Sequence, residues 1–189
     1  MKIILASKSP RRKKLLQDAG YEIEIDVSGF DEELVEETEP HKLVMAIAKG
    51  KALTVAMNHK NSIVIAADTM VSKNGELIGQ QQNDKAAELT MRKLLGTSHE
   101  VYTGICVINT GTGKILQDSE MSVVHIKNVA ESDLKAYISS DQYKGKAGAY
   151  NIADPEFAIF VDHVDGSYTN VLGLPMEKVR LLIEKALEK

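Results

Sequence analysis

The sequence predicts an α/β fold, a mixed twisted sheet flanked by helices, and three observations carry that expectation. Apolar strand-like runs alternate with amphipathic helical runs along the 189 residues. "SIVIAADTMV" is the most apolar strand-like stretch and suits the centre of a sheet. "HEVYTGICVINT", "GTG" and "KILQDSEMSVVHIKNV" read as a long antiparallel hairpin, which makes the sheet mixed and offers a candidate second lobe.

Element by element, "KIILAS" is a buried strand. Ser-Pro then opens a helix through "RRKKLLQDAG", with Pro10 in the first turn and Gly20 as the stop. "YEIEIDVSG" alternates as a half-buried second strand, and "DEELVEETEP" is an acidic connection. Pro40 starts a helix reaching about Asn58. After the central strand, the Asn-Gly of "SKNGE" turns the chain into "LIG" as a hairpin. "NDKAAELTMRKLLG" is a helix capped by Asn83 and stopped by Gly96. "AESDLKAYISS" is a helix that Ser132 and its neighbours are placed to cap, "FAIFVDHVDGSY" is a strand, and "LPMEKVRLLIEKALEK" is a terminal amphipathic helix. No repeat or long linker interrupts the chain, so residues 1–189 are expected to form one domain.

Composition narrows the function classes. A 43% hydrophobic, 26% charged chain of net charge −4 has no broadly basic face for nucleic acid. The single Cys106 rules out an internal disulfide and multi-cysteine metal motifs, and its strand context marks a packed thiol. "MKIILAS" is too short for a signal peptide, and no apolar run reaches the ~20 residues that span a bilayer. A soluble, cytoplasmic protein without a membrane partner is the expectation.

"LASKSPRRKKLL" then stands out, because four cationic side chains follow a strand-to-helix turn in an acidic chain. Cations in a first helical turn oppose the helix dipole unless an anion compensates them. Backbone N–H groups, the hydroxyls of Ser7 and Ser9, and the forks of Arg11 and Arg12 suit phosphate oxygens. A solvated basic face is the alternative, since the dipole term is only ~0.3–1 kcal/mol. The Gly-x4-Gly-Lys-Ser/Thr pattern is absent, so this is no P-loop.

Asp68 ends the apolar strand, where partial desolvation suits a general base or metal ligand; an Asp capping the following turn is the bland reading. Thr69 beside it reads first as a β-former. Asp31, Glu32 and Glu33 are candidate oxygen donors to a hard cation such as Mg²⁺, or simply a solvated acidic loop. The five histidines have no metal-ligand spacing, which argues against zinc. Ser167 lacks the Gly-x-Ser-x-Gly elbow, and "KGKAGAYN" is a small basic loop that lets backbone approach a ligand at Gly148.

Taken together, "LASKSPRRKKLL", "IVIAADTMVSKNGELIG", "HEVYTGI", "KAGAYNI" and "GSYTNVLGLP" resemble the Maf family of nucleoside triphosphate pyrophosphatases. The motifs occur in family order over nearly the whole chain. The resemblance implies an inosine triphosphate pyrophosphatase-like fold with a central cleft. It also implies metal-dependent hydrolysis of the α–β phosphate bond to a nucleoside monophosphate and pyrophosphate, with Mg²⁺ or Mn²⁺. By position, Ser7, Arg11, Arg12 and Lys51 would contact the nucleotide, Asp68 would activate water, and Glu32 would hold the metal with Asp68. Arg11 and Thr69 match the branch that prefers dTTP and UTP, and the family often forms homodimers.

Two positions depart from the family pattern. Gln80-Gln81 stand where Lys-Pro is usual, and loss of that charge-assisted bond costs on the order of 1.5–3 kcal/mol. Ala153-Asp154 replace Gln-Gly in the pyrimidine-selective pattern, which removes a hydrogen bond and adds negative charge. Both changes motivate the alternative of a nucleotide-binding regulator of cell division with weak or no catalysis, with Gln80 left as a substrate-binding candidate.

Overall fold

The computed structural model describes Met1–Glu188. Seven strands form one sheet in the order β2-β1-β3-β5-β6-β7, with β4 paired to β3. The strands are β1 (Lys2–Leu5), β2 (Ile23–Ile25), β3 (Ser62–Lys73), β4 (Glu76–Ile78), β5 (Ser98–Asn109), β6 (Lys114–Ile126) and β7 (Val161–Asp165). The helices are α1 (Pro10–Asp18), α2 (Pro40–Ala56), α3 (Asp84–Leu94), α4 (Glu131–Ser139), α5 (Pro155–Ala158), α6 (Tyr168–Val171) and α7 (Met176–Leu187). The sheet is mixed: β1 pairs parallel to β2 and β3, while β4 and β7 pair antiparallel to β3 and β6.

Two compact units share these strands. The first takes in Met1–Thr69, Thr103–Glu120 and the chain from Gly173; the second takes in Met70–Tyr102 and Met121–Leu172. The long hairpin is divided between them: its turn end lies in the first unit and its open ends in the second.

In the first unit, β3 is buried on both faces, so its strand alternation sorts residues toward different helices. Val64 and Ala66 pack with Ile4, Ala6 and the Ala48, Ala52 and Val55 face of α2. Ile63, Ile65 and Ala67 pack with Leu5, Leu16 of α1 and the Val179, Leu182 and Ile183 stripe of α7. The terminal helix therefore spends its apolar stripe on its own sheet. Cys106 is fully buried on the α2 side, and burial pushes its thiol pKa up to about 12.

Gly104 brings β5 tight against α2. A Cβ at this position would lie 2.3 Å from the Val44 backbone carbonyl and 2.5 Å from the Met45 nitrogen. The helix cannot pack at this depth over any other residue.

The second unit has its own core of Val71, Met91, Leu94, Val124, Leu134 and an aromatic group. Phe157 stacks on Tyr150 at 4.6 Å and on Phe160 at 5.0 Å between centroids. The Asn-Gly hairpin forms as expected, with Asn74 at φ 51 and Gly75 at φ 81 between paired Lys73 and Glu76. Asn83 caps α3, its side chain accepting from the Ala86 N–H at 2.9 Å.

Several expectations need correction. The second strand keeps only Ile23–Ile25, mostly exposed, because it is the sheet edge and buries little of its alternating pattern. Ser132 does not cap α4; Ala130 occupies the cap without a side-chain bond, and Ser132 sits inside the first turn. In "FAIFVDHVDGSY" the first residues are helical, since Pro155 starts α5 and buries Phe157, and the strand begins only at Val161. The acidic connection carries a 3-10 turn over Glu32–Leu34. Among the described residues, no helix is long and apolar enough to cross a membrane.

Candidate functional site

The site candidates of the first unit gather where β1 ends beside the middle of β3. The two strands run parallel, with Leu5 opposite Ile65, and the Ala6 N–H donates to the Ile65 carbonyl at 2.8 Å. Ser7 follows directly, so the start of α1 meets the Ala67-Asp68-Thr69 segment just past the end of β1 and of its parallel pairing with β3. In open α/β sheets this is where ligands bind. β3 itself runs on to Lys73, so Asp68 lies inside the strand and not at its end as the sequence suggests.

Alternation then separates Asp68 from Thr69. Asp68 points to the α2 side with Val64 and Ala66, and Lys51 lies on the same helical face as Ala48, Ala52 and Val55. The Lys51 ammonium donates to Asp68 Oδ1 at 2.7 Å. It also lies 2.7 Å from Glu32 Oε1. Both Lys51 and Asp68 are nearly buried, whereas Glu32 is half exposed.

Gly50 explains how the acidic loop reaches this lysine. A Cβ on Gly50 would overlap the Phe30 ring at 2.3 Å, so a helix position with no side chain seats Phe30, two residues before Glu32. Glycine inside a helix costs ~1 kcal/mol relative to alanine, and here the vacated space docks the loop. Asp31 is used locally, accepting from the Glu33 N–H at 3.1 Å, and Glu33 is exposed. Of the three acids, Glu32 alone meets the lysine of Asp68.

Thr69 points to the other side, toward α1. Ser9 caps α1 with Pro10 at its first position, and no acid occupies the first turn. The Arg12 fork is anchored at four points. It donates from Nε to the Gly173 carbonyl at 2.8 Å and from Nη1 to the Ala67 carbonyl at 2.8 Å. It also donates from Nη1 to Ser7 Oγ at 3.2 Å and from Nη2 to Thr69 Oγ1 at 3.1 Å. Thr69 Oγ1 also lies 3.0 Å from Thr103 Oγ1 on β5. Burial lowers the Arg12 pKa below the ordinary arginine value, opposed by the charge of Asp68 and reinforced by Arg11.

Arg12 is therefore a half-buried scaffold whose hydrogen bonds fix Ser7, Ala67 and Thr69. Arg11 is its half-buried neighbour on the first turn, while Lys13 and Lys14 are exposed and Lys14 pairs with Asp18.

Gln80 belongs to the second unit, exposed, where it forms a backbone bridge with Ala147. The nearby Asp154 is not a bare negative charge. It pairs with the buried Lys146 and accepts from Asn151 Nδ2 at 2.6 Å. Gly148 holds φ +70, and a Cβ there would come within 2.9 Å of Val71. Lys73 bonds Thr97 and the Ser98 carbonyl.

Sequence reasoning missed Thr103, Gly50, Phe30 and Gly173. Phe30 and Gly50 lie in different elements and Thr103 in an ordinary strand run, so no local pattern marks them. The glycine of "GLP" gave the one available signal, and its φ of 99 confirms a special backbone conformation.

The donor set also bears on a metal. Glu32 and Asp68 direct carboxylate oxygens at one buried cation, the Lys51 ammonium. A pair of carboxylates completed by phosphate oxygens and water is a set that Mg²⁺ takes. The residues fit a hard divalent ion.

The chain is 37% identical over 183 residues to the dTTP/UTP pyrophosphatase of Pyrococcus furiosus, covering 97% of this chain and 94% of that one. It is 40% identical over 185 residues to the dTTP/UTP pyrophosphatase of Alkaliphilus metalliredigens, covering 97% and 95%. Among solved structures it aligns with the Staphylococcus aureus Ham1 protein at 16% identity and a TM-score of 0.49, over 98% and 99% of the two chains. Residues 2–186 match the family described as Maf-like protein. The chain belongs to the Maf-like protein family.

Proposed function

We propose that this protein is a nucleoside triphosphate pyrophosphatase that cleaves the α–β phosphate bond, with dTTP and UTP as favoured substrates. The carrying observation is the Lys51 ammonium held at 2.7 Å from both Asp68, inside the buried strand β3, and Glu32. Relatives at 34–40% identity named dTTP/UTP pyrophosphatase support the same reading.

In this reaction Asp68 accepts a proton from water as its oxygen attacks the α-phosphorus, and pyrophosphate leaves. Asp68 and Glu32 would hold Mg²⁺, which supplies charge neutralisation at the phosphate oxygens. Lys51 holds Asp68 in place through its 2.7 Å hydrogen bond and contributes positive charge for the phosphates. Arg11 and the N-terminus of α1 bind phosphate oxygens. Arg12 acts as a positioning residue for Ser7 and Thr69, and Thr69 contributes to base choice.

The deciding experiment screens nucleoside triphosphates with and without Mg²⁺, detecting pyrophosphate and orthophosphate separately. Pyrophosphate from dTTP or UTP is expected only with the metal, and Asp68→Asn is expected to abolish it while the fold persists. Orthophosphate as the product overturns the reaction class. Nucleotide binding with no product turns the reading to a binding regulator, and unchanged turnover in Asp68→Asn refutes its assignment as base.

A further inference from the structure

We propose that His125, His163 and Asp165 form a binding site for a borderline divalent transition cation, of which Zn²⁺ is the type, on the β6–β7 pair of the second unit. His125 and His163 lie directly opposite one another in the antiparallel register. Opposed residues on one face bring their Cβ atoms within ~4.5–5.5 Å. Their rings stack at 4.0 Å with planes 10° apart, so binding one ion requires one imidazole to rotate about its ring torsion until both lone pairs converge.

Asp165 follows His163 by two residues on β7, so its side chain emerges on the same face. Its Oδ2 lies 3.0 Å from His125 Nε2 and 3.9 Å from His163 Nε2. One ligand atom from each of the three residues falls within 4.8 Å of the others. Ligands bound at ~2.0–2.1 Å in a tetrahedron stand ~3.4 Å apart, and the two measured separations bracket that value.

Two further features prepare the site. The Asp162 carboxylate lies 3.0 Å from His163 Nδ1. A carboxylate there keeps the proton on Nδ1 and leaves the Nε2 lone pair for a metal, the usual orienting partner of a ligand histidine. The register also shifts between His125 and Ile126, and such a bulge re-aims the side chains beside it.

His163 and Asp165 are exposed, so a cation reaches them from solvent. Three protein ligands leave a fourth position for water or an anion. Two imidazoles with one carboxylate favour Zn²⁺ over Mg²⁺, the opposite preference to the Glu32–Asp68 pair. β7 is the last strand of the sheet, so an ion bound here ties that edge strand to β6.

The test is a Zn²⁺ titration of the full chain with Mg²⁺ in excess, followed by NMR of the histidine ring protons and by thermal unfolding. One equivalent of Zn²⁺ should shift the His125 and His163 signals together, leave those of His41, His59 and His99 in place, and raise the melting temperature. His163→Gln should weaken Zn²⁺ binding by more than tenfold and erase the thermal shift. Asp162→Asn should weaken binding by ~10-fold with all three ligands intact, as expected for an orienting partner. These side chains are exposed or half-buried, so the variants are expected to fold, which circular dichroism verifies. Signals that do not move, or move at one histidine only, overturn the proposal, as does wild-type affinity in His163→Gln.

Discussion

Replacing Arg12 by lysine keeps the positive charge of the first turn of α1 and removes the planar fork. That separates two roles for this residue. As a phosphate contact, position 12 needs charge; as a scaffold, it needs five donors fanned toward separate acceptors. The Gly173 and Ala67 carbonyls and the Ser7 and Thr69 hydroxyls all accept from Arg12, at 2.8–3.2 Å. A lysine carries its three donors on one nitrogen and loses at least two of those four bonds. Hydrogen bonds to a charged group are worth ~1.5–3 kcal/mol each, and partial exposure of Arg12 places these near the lower end, giving a loss of ~3 kcal/mol. With a urea slope of ~2 kcal/mol per molar, the midpoint should fall by ~1–2 M. The assay is urea unfolding of the two proteins without nucleotide or metal. A midpoint shift below ~0.3 M, or less than ~0.6 kcal/mol at that slope, would refute the scaffold role and return Arg12 to the phosphates.

Other perturbations follow from the same geometry. His99 is buried against Tyr150, and burial lowers its pKa to about 4 from the ordinary 6.5. The unfolded chain therefore binds a proton that the folded chain refuses, so stability falls as pH drops from 6.5 toward 4. At ~1.36 kcal/mol per pH unit the loss reaches ~3 kcal/mol. Urea midpoints across that window should fall less steeply in His99→Gln, and parallel profiles would contradict the assignment. Gly104→Ala would drive a methyl into the α2 backbone, and a loss of ~2–3 kcal/mol with reduced pyrophosphate release is expected, because α2 carries Lys51. Normal melting and turnover would show that the contact yields freely. Lys146→Met strands Asp154 without its cation and should cost ~3 kcal/mol, whereas Lys146→Met with Asp154→Leu should regain much of it, as thermal unfolding of the pair will test.

The fold was legible where local chemistry and tertiary placement agree. Pro10 and Gly20 bracket α1, Asn74-Gly75 make the hairpin turn, and β3 reads as central because both of its faces are apolar. Local reading failed where a tertiary contact decided the matter. Phe157 and Phe160 look like strand residues, but they fill an aromatic core from a short helix. Asp68 and Lys51 were legible as separate candidates, and their 2.7 Å contact depends on which faces of β3 and α2 meet. Arg12 suits a phosphate ligand by type and position, and the structure adds an anchoring role that no local pattern marks. The acceptors that hold it come from Ala67, Thr69 and Gly173, far along the chain. The histidines likewise lack a metal-ligand spacing in the sequence, because strand pairing brings His125 to His163.

Cys106 gives the first unit a built-in reporter. It is the chain's single thiol, it has no exposed surface, and at neutral pH it is almost wholly protonated. A thiol reagent can reach it only when β5 separates from α2, and only an opened state yields the reactive thiolate. The labelling rate of the unmodified protein is therefore a clock for the opening of that sheet face. Nucleotide or metal that binds only the closed form should slow it in proportion to occupancy, giving binding constants without any label attached at the site.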